Sequence, residues 1–188
     1  MRAFSFSLLV FLLACGQKDR SAVIHTTMGD IRVRLFGDTP GHRDHFAEMA
    51  GSGAYDSLAV SSIERDFVVQ CSAVRPAGAA KAAFPVRPSG HPLLRGAVAA
   101  NGASFFIVQG RPQTDASLDK WEKQTGQKFD AARRGQYKKS GGAPQLEGRH
   151  TVFGEVTAGL DVVDKIAALP RDASDRPLLE VRVWVEVE

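Results

Sequence analysis

The chain has 188 residues, with 24 lysines and arginines against 21 aspartates and glutamates, 44% hydrophobic residues and 8% aromatic ones. A chain of this length can bury about 70% of its unfolded surface, so one ordinary globular domain accounts for it without a metal or a disulfide framework. Cys15 and Cys71 are the only cysteines; they form one bridge at most, which excludes a disulfide scaffold.

Residues 1–14 read as an export signal, with the basic Arg2 followed by a short apolar run from Phe4 to Ala14. The run has 11 residues, against the roughly 20 that a membrane-spanning helix needs. Leu12-Leu13-Ala14-Cys15 resembles the bacterial lipobox, in which a signal peptidase cuts before the cysteine and the thiol then carries a diacylglycerol. The expected organisation is a signal over 1–14, a tether over 15–21 lipidated at Cys15, and a domain over 22–188. More than one acyl chain is needed for stable anchoring, and such a lipid supplies it. The expected location is the bacterial cell envelope, on the outer membrane and facing the periplasm. Between Arg111 and His150 nine basic residues stand against five acidic ones. This excess reads as a solvated face, because an exported protein meets little nucleic acid.

The first elements form a hairpin signal, with Val23–Thr27 and Ile31–Leu35 separated by Met28-Gly29-Asp30. In the second run Ile31, Val33 and Leu35 share one face and Arg32 and Arg34 the other. Thr39 is placed to cap a helix with Pro40 at its first position. Phe46 and Met49 or Ala50 give that helix its apolar face, and Gly51 and Gly53 stop it. His42 and His45 fall three residues apart on it and read as solvated; no metal or other cofactor is expected.

Phe67–Gln70, Gly96–Ala100, Ser104–Val108 and Thr151–Val156 read as further strands. A helical insertion spans about 111–144, with two short helices around Gly126 and with Leu118, Trp121, Phe129 and Tyr137 as docking residues. A helix over 159–168 buries Leu160, Val163 and Ile166 or Ala167, and Pro170 bars its continuation. In the last strand Leu179, Val181, Val183, Val185 and Val187 face one way. Many short strands with two framework helices predict a mainly β protein, a closed antiparallel barrel capped by helices.

Six blocks in order carry a resemblance: Thr27–Phe36, Thr39–Phe46, Phe67–Gln70, Ser104–Ile107, Leu146–His150 and Thr151–Val156. Together they resemble the cyclophilins, and among them the bacterial lipoprotein members with an extra helical insertion. The resemblance covers about Ala22 to Glu188. It implies a closed eight-stranded antiparallel barrel capped by two helices, with peptidyl-prolyl cis-trans isomerase activity and no cofactor. The implied partners are proline-containing polypeptides and, through the lipid, a membrane; no nucleic acid is expected, and the chain is expected to be monomeric.

The chemistry is that of an amide rotation. An Xaa-Pro bond is nearly balanced between cis and trans, but crossing between them costs about 18–20 kcal/mol because resonance is lost in the twisted state. A site lowers that barrier by holding the ring in an apolar slot, gripping the preceding carbonyl and donating a hydrogen bond to the prolyl nitrogen as it pyramidalises. Each contact must be stronger in the twisted state than in the ground state.

By resemblance, Phe106 receives the proline ring, Phe67, Leu146 and His150 line the pocket, and Gln70 contacts the substrate backbone. Ala100 and Asn101 resemble the family's Ala-Asn rim, ahead of a shortened loop. Val68 replaces a usual methionine, and Gln145 stands where some members carry tryptophan. The main departure is at Ser62, which occupies the position of the family's catalytic arginine. Losing one preorganised donor costs on the order of 100-fold to 1,000-fold in rate. Arg65 is the nearest substitute in sequence, but three residues along a strand is an odd step and points it to the opposite face. Cys71 replaces a family glycine and reads as an inert buried thiol. Two functions are compatible with these residues: an isomerase of reduced activity that assists the folding of envelope proteins, or a module that binds proline segments without turning them over.

Overall fold

Alternation along β2 (Gly29–Leu35) sets the inside and outside of the molecule: Ile31, Val33 and Leu35 are buried while Arg32 and Arg34 are exposed. The structure is a computed structural model and describes residues 18–56, 58–73, 85–87, 89–102 and 104–188. The export signal and Cys15 lie outside the described residues.

β2 forms a hairpin with β1 (Arg20–Thr26), closed at Thr26 opposite Gly29. The Thr26 hydroxyl donates to the Gly29 carbonyl and accepts from the Met28 N–H. The remaining strands are β3 (Leu58–Glu64), β4 (Val68–Ala73), β5 (Ala97–Asn101), β6 (Ser104–Val108), β7 (Val152–Ala158) and β8 (Arg182–Val187). They close in the order β1-β2-β7-β5-β6-β4-β3-β8, antiparallel throughout, with β8 returning to β1. Closure removes every free strand edge.

The barrel interior and its two caps form one core. Helix α1 (Pro40–Gly51) contributes Phe46, which packs against Tyr55, Phe105 and Phe153 at centroid distances of 5.2, 5.3 and 5.2 Å. Burying such a ring stabilises the fold by about 1.5–3 kcal/mol. Helix α4 (Leu160–Ala167) covers another part of the barrel with Val162, Val163, Ile166 and Ala167. The insertion has its own small core: Leu118 and Trp121 of α2 (Asp115–Thr125) pack with Phe129 and with Tyr137 of α3 (Ala131–Ser140). Gly126 ends α2 at φ +74°, the left-handed conformation that glycine adopts without strain. The insertion leaves and rejoins the barrel where Arg111 bridges Gly142.

Some expectations are corrected. Thr39 sits at the start of α1 behind Pro40, but its hydroxyl donates to the Phe36 carbonyl rather than capping the helix. His42 is buried, and desolvation, then the neighbouring His45 and Arg87 charges, hold its pKa below the usual histidine value. Leu179 is 57% exposed: the buried alternation begins only at Val181. Phe67 lies in the turn before β4, and β3 is an additional strand that alternation alone does not reveal.

Candidate active site

The strands that bury Val69, Cys71, Phe105, Ile107 and Val98 inside the barrel must present the residues between them outside. There, Val68, Phe106, Ala97, Ala99 and Val152 form a second apolar cluster on the outer face of β4, β6, β5 and β7. Ala143 and Leu93 belong to it, and Phe67 and Leu146 pack on it, partly buried. Phe106 is 3% exposed and forms part of this cluster.

Gln70 falls in the same register. It pairs with Phe106 across β4–β6, and Phe106 pairs with Ala99 across β6–β5. On the other side β3 carries a bulge: Val60 opposes Cys71 and Ser62 opposes Gln70, leaving Ser61 as an extra residue. The extra residue reverses the facing of the rest of the strand. Ile63 turns into the core, while Ser62 turns outward beside Gln70. The resulting row is Ser62, Gln70, Phe106, Ala99 and Val152.

The polar end of this row is made of hydroxyls and one carboxamide. Ser61 Oγ lies 3.3 Å from the Gln70 carbonyl and 3.0 Å from Ser72 Oγ, its single proton serving one or the other, and Gln70 Nε2 donates to Ser72 Oγ at 3.5 Å. Among the described residues no guanidinium or ammonium donates to Ser62 or Gln70. Arg65 belongs to the β3–β4 turn, and its guanidinium donates to the Ala168 carbonyl at the end of α4, 3.2 Å away.

His150 closes the apolar end. Its ring stands perpendicular to that of Phe106 at a centroid distance of 5.0 Å, and Nδ1 lies 3.0 Å from the Ala100 carbonyl. A carbonyl only accepts, so Nδ1 carries a proton and donates it to the Ala100 carbonyl. Ala100 thus acts through its backbone, while its side chain packs on the inner core. Ala99, not singled out from sequence, is the β5 alanine whose side chain joins the outer cluster. Asn101 pairs with Ser104 at the end of the β5–β6 hairpin, consistent with a short connection there.

The insertion borders this face. The 3-10 turn Pro144–Leu146 follows α3 and presents Leu146 to the slot. Tyr137 is tied beneath the turn: its hydroxyl accepts from the Leu93 N–H at 3.1 Å and donates to the Glu147 carboxylate, which also receives Arg133 at 2.9 Å. A cavity of about 360 Å³ opens beside His150, Leu93 and Glu147, and another of about 500 Å³ beside Phe67 and Gln145. Among the described residues no three histidine, cysteine or carboxylate groups gather as a metal site. Cys71 points into the core, where burial pushes its thiol up to about 12.

The closed antiparallel eight-stranded barrel agrees with what comparison with known proteins finds. The sequence model of the family described as cyclophilin type peptidyl-prolyl cis-trans isomerase/CLD matches residues 21–187. The chain belongs to this family. It is 29% identical over 164 residues to peptidyl-prolyl cis-trans isomerase cyp15 of Rhizopus delemar, covering 87% of this chain and 23% of that protein. It is 28% identical over 178 residues to a putative peptidyl-prolyl cis-trans isomerase of Staphylococcus epidermidis, covering 85% of this chain and 86% of that one. The chain spans about a quarter of the length of several curated relatives it matches. In fold it is similar to a cyclophilin type peptidyl-prolyl cis-trans isomerase of Cryptosporidium parvum, with TM-score 0.64 and 18% identity over 91% of this chain and 98% of the other. A second structure of that protein, determined in the presence of the dipeptide Ala-Pro, matches with TM-score 0.63 and 17% identity over 89% of this chain and 98% of the other.

Proposed function

We propose that this chain catalyses cis-trans isomerisation of Xaa-Pro bonds in polypeptides, at a rate reduced by the serine at position 62. The observation that carries this is the apolar cluster around Phe106 on the outer face, with His150 against the Phe106 ring and Gln70 aligned with it in register. A proline ring fits there by burial against Phe106, Val68 and Leu146, and Gln70 faces the position of the preceding carbonyl. The related fold determined with Ala-Pro supports a dipeptide-sized occupant. The missing element is a donor for the prolyl nitrogen: Ser62 stands in the row where the resemblance implies an arginine, and a hydroxyl supplies neither charge nor reach. That observation favours a second reading, a module that holds proline segments with little turnover. Exchange NMR on an Xaa-Pro peptide at several protein concentrations separates the two. Acceleration in proportion to protein establishes the isomerase; shift changes without acceleration establish the binding module.

The N-terminal motif supports a bacterial lipoprotein, anchored through Cys15 and assisting envelope proteins whose folding waits on slow proline steps. Mass spectrometry of the membrane fraction tests it: a diacylglyceryl adduct on an N-terminal Cys15 is expected, and an unmodified Cys15 in a released chain overturns it.

A further inference from the structure

The insertion does more than border the slot. Its helix α2 and the β3–β4 turn enclose a groove of about 500 Å³, a size suited to a side chain or a small ligand, with Phe67 and Trp121 among its lining. The groove continues the slot, because Phe67 also packs on the Phe106 cluster and Gln145 adjoins Leu146 in the same 3-10 turn. Gln145 Oε1 is buried at this junction and accepts no hydrogen bond from the described residues, an unused acceptor that a peptide N–H would satisfy once the carboxamide turns toward the groove. Lys120 lies 5.1 Å from the Trp121 ring centroid on an exposed side chain that can be displaced. The groove rim mixes cations with carboxylates, so its selectivity comes from shape and aromatic surface rather than from net charge.

We propose that this groove is a second subsite for the polypeptide bound at the Phe106 slot, taking a large apolar or aromatic side chain that flanks the proline. Trp121 and Phe67 are its walls, and Trp121 becomes a specificity-determining residue supplied by the insertion. The inference rests on the proline-slot reading.

Trp121 and Trp184 are the two tryptophans of the chain, so indole NMR signals report on the groove directly, with Trp184→Phe to assign them. A short Ala-Pro peptide is compared with nine-residue peptides in which one phenylalanine is moved through the three positions on either side of the proline. The short peptide should shift slot signals such as those of Phe106 and His150 while leaving the Trp121 indole in place. One phenylalanine position should move the Trp121 indole and tighten binding about 3-fold to 10-fold, an increment of the size expected for burying part of one ring. Trp121→Ala should bring that peptide's Kd to that of its phenylalanine-free counterpart. If this variant does not fold, Trp121→Phe and the wild-type indole shift carry the test. A long peptide that saturates the slot without moving the Trp121 indole overturns the subsite and leaves the slot standing. No slot signal with either peptide overturns the slot reading, and the subsite with it.

Discussion

Ser62 lies opposite Gln70 only because Ser61 is an extra residue in β3; without that bulge Ser61 would oppose Gln70, Ser62 would turn into the core and Ile63 would turn outward. The bulge therefore selects Ser62 rather than Ser61 as the residue beside Gln70 and keeps Ile63 in the core. The consequence is directional. Ser62→Arg should raise isomerisation by about 100-fold to 1,000-fold, the size of one preorganised transition-state donor. Exchange NMR at equal protein concentration measures it; an unchanged rate would show that the slot lacks more than this group.

The Tyr137 hydroxyl is one of the ties between the insertion and the segment leading into β5. Tyr137→Phe leaves the buried Leu93 N–H and one Glu147 bond without their partner, at a cost of about 1–3 kcal/mol. Urea unfolding should show that loss, and amide exchange at Leu93 should rise well above its wild-type rate. Wild-type stability in the variant would mean that a second partner replaces the phenol.

Cys71 should be inert in the native state. Its thiol is held neutral to about 12 by burial, against an ordinary value of 9.0. A thiol reagent at pH 8 should label it only under denaturant. A folded pKa above the unfolded one contributes stability that is complete below pH 9.0 and is lost as pH rises toward about 12. Cys71→Ala should lack that part of the alkaline loss.

Asp164 works at the other end of the pH scale. The Arg95 guanidinium donates to its carboxylate at 2.6 Å, and this bond, with a further one from Gln109, holds the carboxyl below its ordinary value of 3.8. Its contribution is present above that value and fades as pH falls through the depressed one. The stability difference between wild type and Asp164→Asn should therefore shrink between neutrality and pH 3, as measured by urea unfolding; a constant difference would contradict the pairing.

The legible parts of the fold are those with an unbroken period. The β1–β2 hairpin, the facing of Ile31, Val33 and Leu35 and the Val181, Val183, Val185 alternation are set by spacing; in α4 spacing places Val163, Ile166 and Ala167 in the buried stripe, but Val162 is buried there and the expected Leu160 only half-buried. β3 is not, because the Ser61 bulge interrupts its alternation and two adjacent serines give no apolar signal. Of the residues singled out through the ordered blocks, the structure gathers Phe106, Val68, Leu146, Gln70 and His150 on one outer face. What spacing could not assign was which alanine of β5 faces outward. That depends on the register shift against β7 at Val98 and Ala99, a tertiary fact. The burial of His42 likewise comes from packing against Phe153, remote in sequence.

The most direct test of the slot as the seat of turnover compares wild type with Phe106→Ala in cis-trans exchange of one Xaa-Pro peptide, after circular dichroism confirms that both barrels are folded. Exchange that rises in proportion to wild-type protein and falls to the uncatalysed rate in Phe106→Ala is the expected result. Peptide that binds wild type without any acceleration, or acceleration that survives in the folded variant, would contradict it.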